Sequence, residues 1–320
     1  MFNVLIIGAG NIGFRHFEGL LNTALPLAIH IIDPNSDALN RVNQRYKESA
    51  TKEKACFYNQ NELELPEKID VCIVATSSKV RLEVTEATLK KTAITYLILE
   101  KVLFQKEADY EKMSDLLLKH DVKGCWVNCP LRTYPIYSEL KEKLTGKLEI
   151  SLEYGKFGIG CNSIHYLDLF SYFTDSLNMN IDVSNLDKVV QSKRQGYLEV
   201  LGTLKATSPN GDRLIIRSNG DSTEEYTITI NVSNEQWTFY PFTEKIVIVN
   251  KLTKEQSEKT FWLPKQSEVT GMMITDILLY NKCGLLEYEM SKQLHVNLIR
   301  ELNLFFSKAF GYEVTECPIT

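Results

Sequence analysis

The chain has 320 residues, 44% of them hydrophobic and 24% charged, with 16 Gly and 9 Pro. This is the make-up of a globular protein and excludes collagen-like, low-complexity and disordered classes. Its 36 basic and 41 acidic residues leave a formal charge of −5, and no Lys/Arg block stands out, so nothing draws nucleic acid or an anionic membrane to it.

Residues 3–8 are apolar almost without a break and predict a strand covered on both faces. Phe17, Leu20, Leu21 and Ala24 follow at helical spacing. Further strands are expected at 27–33, 71–76 and 94–100, and helices near 36–50, 79–91 and 106–120. A β-α unit repeated this often predicts an α/β fold with a doubly wound parallel sheet, the Rossmann arrangement, whose ligands lie at the carboxyl ends of the strands. Past about residue 124 the texture changes. Runs at 197–206, 213–217, 226–232, 236–240 and 245–249 read as antiparallel strands, and Asn210-Gly211 and Asn219-Gly220 mark hairpins on either side of 213–217. Helical spacing returns over 285–310. The expected domains are therefore 1–123, a dinucleotide-binding Rossmann domain, and 124–320, an α+β substrate domain with a mostly antiparallel sheet. Seven cysteines without a CxxC pair, no apolar run of about 18 residues and no basic leader lead to the expectation of a cytoplasmic chain with reduced thiols.

The sharpest motif is Gly8-Ala9-Gly10-Asn11-Ile12-Gly13, between an apolar strand and an amphipathic helix. Gly8 permits the tight turn, Gly10 clears the approach of a pyrophosphate, and Gly13 lets the helix sit close on the sheet. Asp33 ends the next strand 20 residues after Gly13. There its carboxylate can accept the adenosine ribose hydroxyls and repel a 2′-phosphate, which favours NAD over NADP. Flavin and methyl-donor proteins also use glycine-rich first turns, so the choice rests on Glu100-Lys101, where another apolar strand ends. Oxidising a carbinol carbon requires that the hydroxyl proton leave and that negative charge on oxygen be stabilised, and a lysine at a cleft edge suits that task. A surface salt bridge between the two is the plainer reading of the pair alone.

A third feature is Cys161-Asn162-Ser163-Ile164-His165-Tyr166-Leu167-Asp168, after a glycine-rich stretch at 155–160. Helical spacing puts Asn162, His165 and Asp168 on one face. His165 can exchange a proton near neutrality and Asp168 can orient its ring. By spacing alone, a core histidine bonded to a carboxylate explains the same residues. No Cys/His spacing completes a metal site.

In order, GAGNIG, Asp33, Val74-Ala75-Thr76, Glu100-Lys101 and the segment bearing His165 resemble the Gfo/Idh/MocA family of NAD(P)-dependent oxidoreductases, over nearly the whole chain. The resemblance implies a Rossmann domain and a second domain with a large open sheet used for oligomer contacts, hence a homodimer or homotetramer, and a substrate among sugars, cyclitols and nucleotide sugars. It implies that Lys101 polarises the reacting hydroxyl, that His165 accepts its proton, and that Thr76, Ser77 and Glu100 lie with Gly8, Gly10, Asn11, Ile12, Gly13 and Asp33 along the cofactor. Residues 128–132 (NCPLR) resemble a family segment with a substrate-facing arginine, which makes Arg132 the candidate for an anionic group. Asn162 would then bond a sugar hydroxyl, and Asp168 would orient the histidine or the substrate. The same two segments resemble a branch associated with surface-polysaccharide and sialic-acid-like sugar synthesis. Two positions depart from the family: Val102 replaces a proline that is often cis, so a different setting of the Lys101 loop is expected, and Cys161 stands where an Asp precedes the histidine by four. An NAD-recycling epimerase, lyase or glycosidase, and a non-catalytic NAD-binding regulator, are the competing uses of such a chain.

Overall fold

A computed structural model describes residues 1–49, 54–60, 65–221 and 223–320. Ala50, at the end of the helix expected over 36–50, lies outside them. The elements run β1 Phe2–Ile7, α1 Asn11–Asn22, β2 Leu27–Ile32, α2 Ser36–Glu48, β3 Lys54–Asn59, β4 Lys68–Val74, α3 Ser78–Leu89, β5 Ala93–Leu99, α4 Glu107–Lys119 and β6 Gly124–Val127. A 3₁₀ turn at Pro130–Thr133 then leads to α5 Pro135–Glu142, β7 Glu149–Glu153, α6 Ile159–Thr174, β8 Asn180–Gln191, β9 Leu198–Thr207, β10 Arg213–Ser218, β11 Thr227–Val232, β12 Glu235–Tyr240, β13 Lys245–Asn250 and β14 Gln256–Thr260. The chain ends with α7 Gln266–Tyr280, β15 Leu286–Glu287 and α8 Tyr288–Phe310. No described helix is long and apolar enough to cross a membrane.

Two compact units result: Met1–Asn128 with Pro264–Ser291, and Cys129–Leu263 with Lys292–Thr320. In the first, the sheet order is β15-β6-β5-β4-β1-β2-β3, and only the β15–β6 pair is antiparallel. The order reverses at β1, which pairs with β2 through Ile7↔Ile32 and with β4 through Ile7↔Val74. That is the switch point at which an open α/β sheet leaves a crevice beyond its carboxyl edge. Val4, Ile6, Val71, Ile73 and Ile98 are fully buried, as strands covered on both faces require.

The sequence reading placed all of 124–320 in a second domain, whereas 264–291 return to the first unit. The reason is a close helix crossing. A Cβ on Gly19 of α1 would lie 2.4 Å from the Ser267 carbonyl oxygen and 2.7 Å from Thr270 Cβ, so only glycine lets α7 approach this far.

The second unit carries an eight-stranded sheet in the order β14-β13-β12-β11-β7-β10-β9-β8, antiparallel except for the β7–β10 pair. Alternate residues such as Ile150, Leu152, Leu214, Ile216, Ile230 and Phe239 are fully buried on one face, and α6 packs over β9 and β10. Asn210-Gly211 makes the β9–β10 hairpin. Asn219-Gly220 does not close a hairpin, because β7 inserts between β10 and β11; Gly220 instead donates to the Gly155 carbonyl at 2.7 Å.

Candidate active site

At the switch point the glycine loop is shaped by its neighbours. Gly8 has φ +95°, a conformation that disfavours side chains, and a Cβ on Gly13 would meet the Gly8 carbonyl oxygen at 1.8 Å. At Gly10 a Cβ would meet nothing within 4 Å: this is open space above the N-terminus of α1, where no side chain caps the helix and its first turn holds no acidic residue. Asn11 and Ile12 are exposed beside it. Free N–H groups at a positive helix end, with a clear approach, fit a pyrophosphate.

Asp33 closes the other side. Its carboxylate accepts the Ala9 N–H at 2.6 Å and the Asn35 N–H at 2.8 Å, which ties the glycine loop to the end of β2. Arg41, eight residues on, was not anticipated. It donates to the Ala9 and Gly10 carbonyls at 3.0 and 3.2 Å and lies over the Phe14 ring, 4.3 Å from its centroid. Because C=O and N–H of a trans peptide point opposite ways, Arg41 aims the Gly10 and Asn11 N–H groups away from itself. Two polar atoms at the same sheet edge, Thr76 Oγ1 and Asn128 Oδ1, are buried without a hydrogen-bond partner, as befits groups awaiting a polar ligand. Ser77 is the N-cap residue of α3 but makes no side-chain cap.

Glu100 and Lys101 follow β5. Glu100 is buried and turned inward, so the surface-salt-bridge reading does not describe it. Its Oε1 takes a hydrogen bond from Asn128 Nδ2 and faces His16 Nε2 at 2.9 Å. Burial alone would push this carboxyl up, but the hydrogen bonds from His16 and Asn128 and the nearby His16 and Arg81 charges outweigh it and hold Glu100 below its ordinary value. His16 is wholly buried on α1. Beyond Lys101 the backbone is pinned by buried Arg81, which donates to the Val102, Leu103 and Thr76 carbonyls. The Lys101–Val102 peptide is cis, although the residue is not proline.

In the second unit α6 presents Cys161, Asn162 and His165 half-buried. Its N-terminus meets the buried Glu199 of β9, whose carboxylate accepts the Cys161 N–H at 3.2 Å. A negative group there suits the helix dipole and anchors the first turn.

Asp168 lies deeper than these three. Its side chain is 1% exposed and accepts Arg132 Nε at 2.7 Å, while Arg132 Nη2 donates to the Asp168 carbonyl at 3.2 Å and Ser171 Oγ at 3.1 Å. The two residues expected to meet substrate are paired with each other: an acid this deep needs a cation, and the arginine fork supplies it across 36 positions of sequence. Burial pushes Asp168 up to about 6 despite the opposing pull of Arg132. Among the described residues no group of three or more His, Cys, Asp or Glu could hold a metal ion.

No curated protein matches the chain. Solved structures share its fold over nearly their full length: UDP-N-acetylglucosamine 3-dehydrogenase GnnA from Acidithiobacillus ferrooxidans (12% identity, 93% of this chain and 95% of that one, TM-score 0.71), a Gfo/Idh/MocA family oxidoreductase from Vibrio cholerae (16%, 97% and 100%, 0.68), and a super-repressor mutant of Gal80p from Saccharomyces cerevisiae (14%, 98% and 97%, 0.71). Residues 2–129 match the family described as the oxidoreductase family with an NAD-binding Rossmann fold. That match lies over the cradle just described and likens this first stretch of the chain to the Gfo/Idh/MocA oxidoreductases.

Proposed function

We propose that the protein is an NAD-dependent dehydrogenase acting on a hydroxyl-bearing carbon of a sugar, cyclitol or nucleotide sugar. NAD, when bound over the glycine loop and Asp33, supplies the hydride acceptor. The Lys101 ammonium stabilises the negative charge that develops on oxygen as the hydroxyl proton leaves, the His165 ring takes that proton, and the Asn162 amide holds a neighbouring hydroxyl. Arg132 and Asp168 serve as a buried brace for α6. The observation that carries this reading is the fixed strand end: Glu100 is held by His16 and Asn128 and the following carbonyls by Arg81, so the backbone that bears Lys101 is rigid at the sheet's carboxyl edge. The likeness to GnnA supports a nucleotide sugar as the first substrate class to try. Self-association is placed on the open face of the second sheet, where half-buried Ser151, Ile215, Thr229, Thr238 and Val247 alternate with core residues.

The test is turnover of NAD with nucleotide sugars, free sugars and cyclitols. A lasting rise in nicotinamide absorbance, matched by a keto product, is expected. Product without that rise would move the assignment to a redox-recycling enzyme. Cys161, in place of the family acid, and the likeness to Gal80p favour one second reading, a cofactor-binding regulator, which failure across the whole panel would support.

Asp33 gives a separate check on the cofactor. Asp33→Ala should raise the KM for NAD and shrink the preference for NAD over NADP, because a carboxylate repels the 2′-phosphate and accepts the free hydroxyls. An unchanged ratio of kcat/KM values would mean that Asp33 does not read the ribose.

A further inference from the structure

The partners of His16 fix where its ring protons lie. Thr270 Oγ1 donates its one proton to the Gln266 carbonyl at 2.7 Å. Its lone pairs therefore receive His16 Nδ1 at 2.8 Å and Gln266 Nε2 at 3.3 Å, which fixes Nδ1 as a donor. The other ring nitrogen, Nε2, faces Glu100 Oε1 at 2.9 Å. Were Nε2 bare, its lone pair would confront a carboxylate oxygen at hydrogen-bond distance in a dry interior, an arrangement without attraction. A proton lies between them. Asn128 Nδ2 donates to the same oxygen, so Glu100 is surrounded by donors and the charge-paired form is the one favoured.

We propose that His16 is a positioning residue for Lys101: as a buried imidazolium fixed by Thr270, it engages the Glu100 carboxylate so that this neighbour does not capture the lysine ammonium. The proposal rests on the reading of Lys101 as the charge that polarises substrate. Glu100 and Lys101 are adjacent in sequence, and a carboxylate without a partner of its own would attract the ammonium strongly in a medium of low dielectric. The Gly19 crossing serves the same end, since it brings Thr270 of α7 to the ring on α1.

His16→Leu, alone and combined with Glu100→Gln, tests this. The single variant should lower kcat about tenfold to a hundredfold, the size of loss that misplacing a reacting group brings, with the KM for NAD little changed. The double variant should recover most of that loss, because the bare carboxylate is gone; if His16 merely fills space, the second change recovers nothing and the idea fails. In the protein alone, the rate at which an amine reagent modifies Lys101, read by mass spectrometry, should fall severalfold in His16→Leu and return in the double variant. An unchanged rate overturns the proposal whatever turnover does. Lys101→Met that still turns over would instead sink the proposed chemistry and leave the labelling result to decide this inference. If His16→Leu does not fold, ¹⁵N-histidine spectra of the unaltered protein at neutral pH decide: two protonated ring nitrogens on His16 support it, and one bare nitrogen overturns it.

Discussion

Replacing Lys101 with Met is expected to lower kcat by about 10²–10⁴, the usual contribution of a positioned proton-transfer or charge-stabilising group, and to leave binding of NAD nearly intact. Methionine keeps the length and much of the apolar stem of lysine, so the change isolates the ammonium. The magnitude agrees with electrostatics: a unit charge 4 Å from a full negative charge is worth about 4 kcal/mol at an effective dielectric constant of 20, or about three powers of ten in rate. Partial charge in the transition state reduces this, and partial exclusion of water restores some of it.

The companion variant, His165→Ala, is expected to show a loss of similar kind. The informative measurement is the pair together. If the ammonium and the imidazole serve one departure of one proton, the double variant should be scarcely slower than the worse single variant, as happens when residues act as a unit. Fully multiplicative losses would mean two independent contributions, and the assignment of a shared step would have to be withdrawn. Steady-state kinetics with the best substrate of the panel, together with a direct measure of NAD affinity for each variant, is sufficient.

What could be read from the sequence depended on how local its physical cause is. The first-unit strands β1, β2, β4 and β5 were legible because a parallel strand covered on both faces writes a nearly unbroken apolar run, as 3–8 and 94–99 do, whereas the edge strands β3 and β15 and the short β6 were not. The glycine motif was legible because three backbone demands fall within six residues. α7 was missed: Gly271, Thr270 and Thr275 interrupt its apolar pattern, and the reasons for them lie on α1 and in the helix's own carbonyls. The Asn219-Gly220 hairpin was misjudged because the strand that separates its arms, β7, comes more than sixty residues earlier.

The candidate residues followed the same division. Lys101 and His165 stand in short motifs, whereas the groups that hold Glu100 and the 102–103 carbonyls do not. His16 meets Glu100 across 84 positions and Thr270 across 254, so nothing near it in sequence distinguishes it from an ordinary helical histidine. Arg81 looks like a surface charge of α3 until the fold brings the 102–103 carbonyls to it. Polar partnerships over such separations carry no periodicity, and only the folded chain reveals them.

Arg132→Ala should be costly in a way that grows with pH. Removing the partner of a carboxylate as buried as Asp168 typically costs about 3–5 kcal/mol when the acid remains charged. Asp168 already lies at about 6 in the folded chain, raised by burial from an ordinary value of 3.8. A carboxyl raised by folding binds its proton more tightly in the native state, so stability from this group is present below about pH 4 and declines as pH rises through 6. Without Arg132, both the charge and the hydrogen bond that pull the value down are lost, and the decline must continue above 6. The cost of the substitution should therefore be modest at pH 5, about 1–2 kcal/mol for the lost hydrogen bonds and packing, and should approach the larger figure at pH 8. Urea unfolding followed at both pH values measures the difference. Adding Asp168→Asn should flatten the dependence, because an amide has no proton to lose; an equal cost at pH 5 and 8 in the single variant would show that the brace is held by something other than this charge.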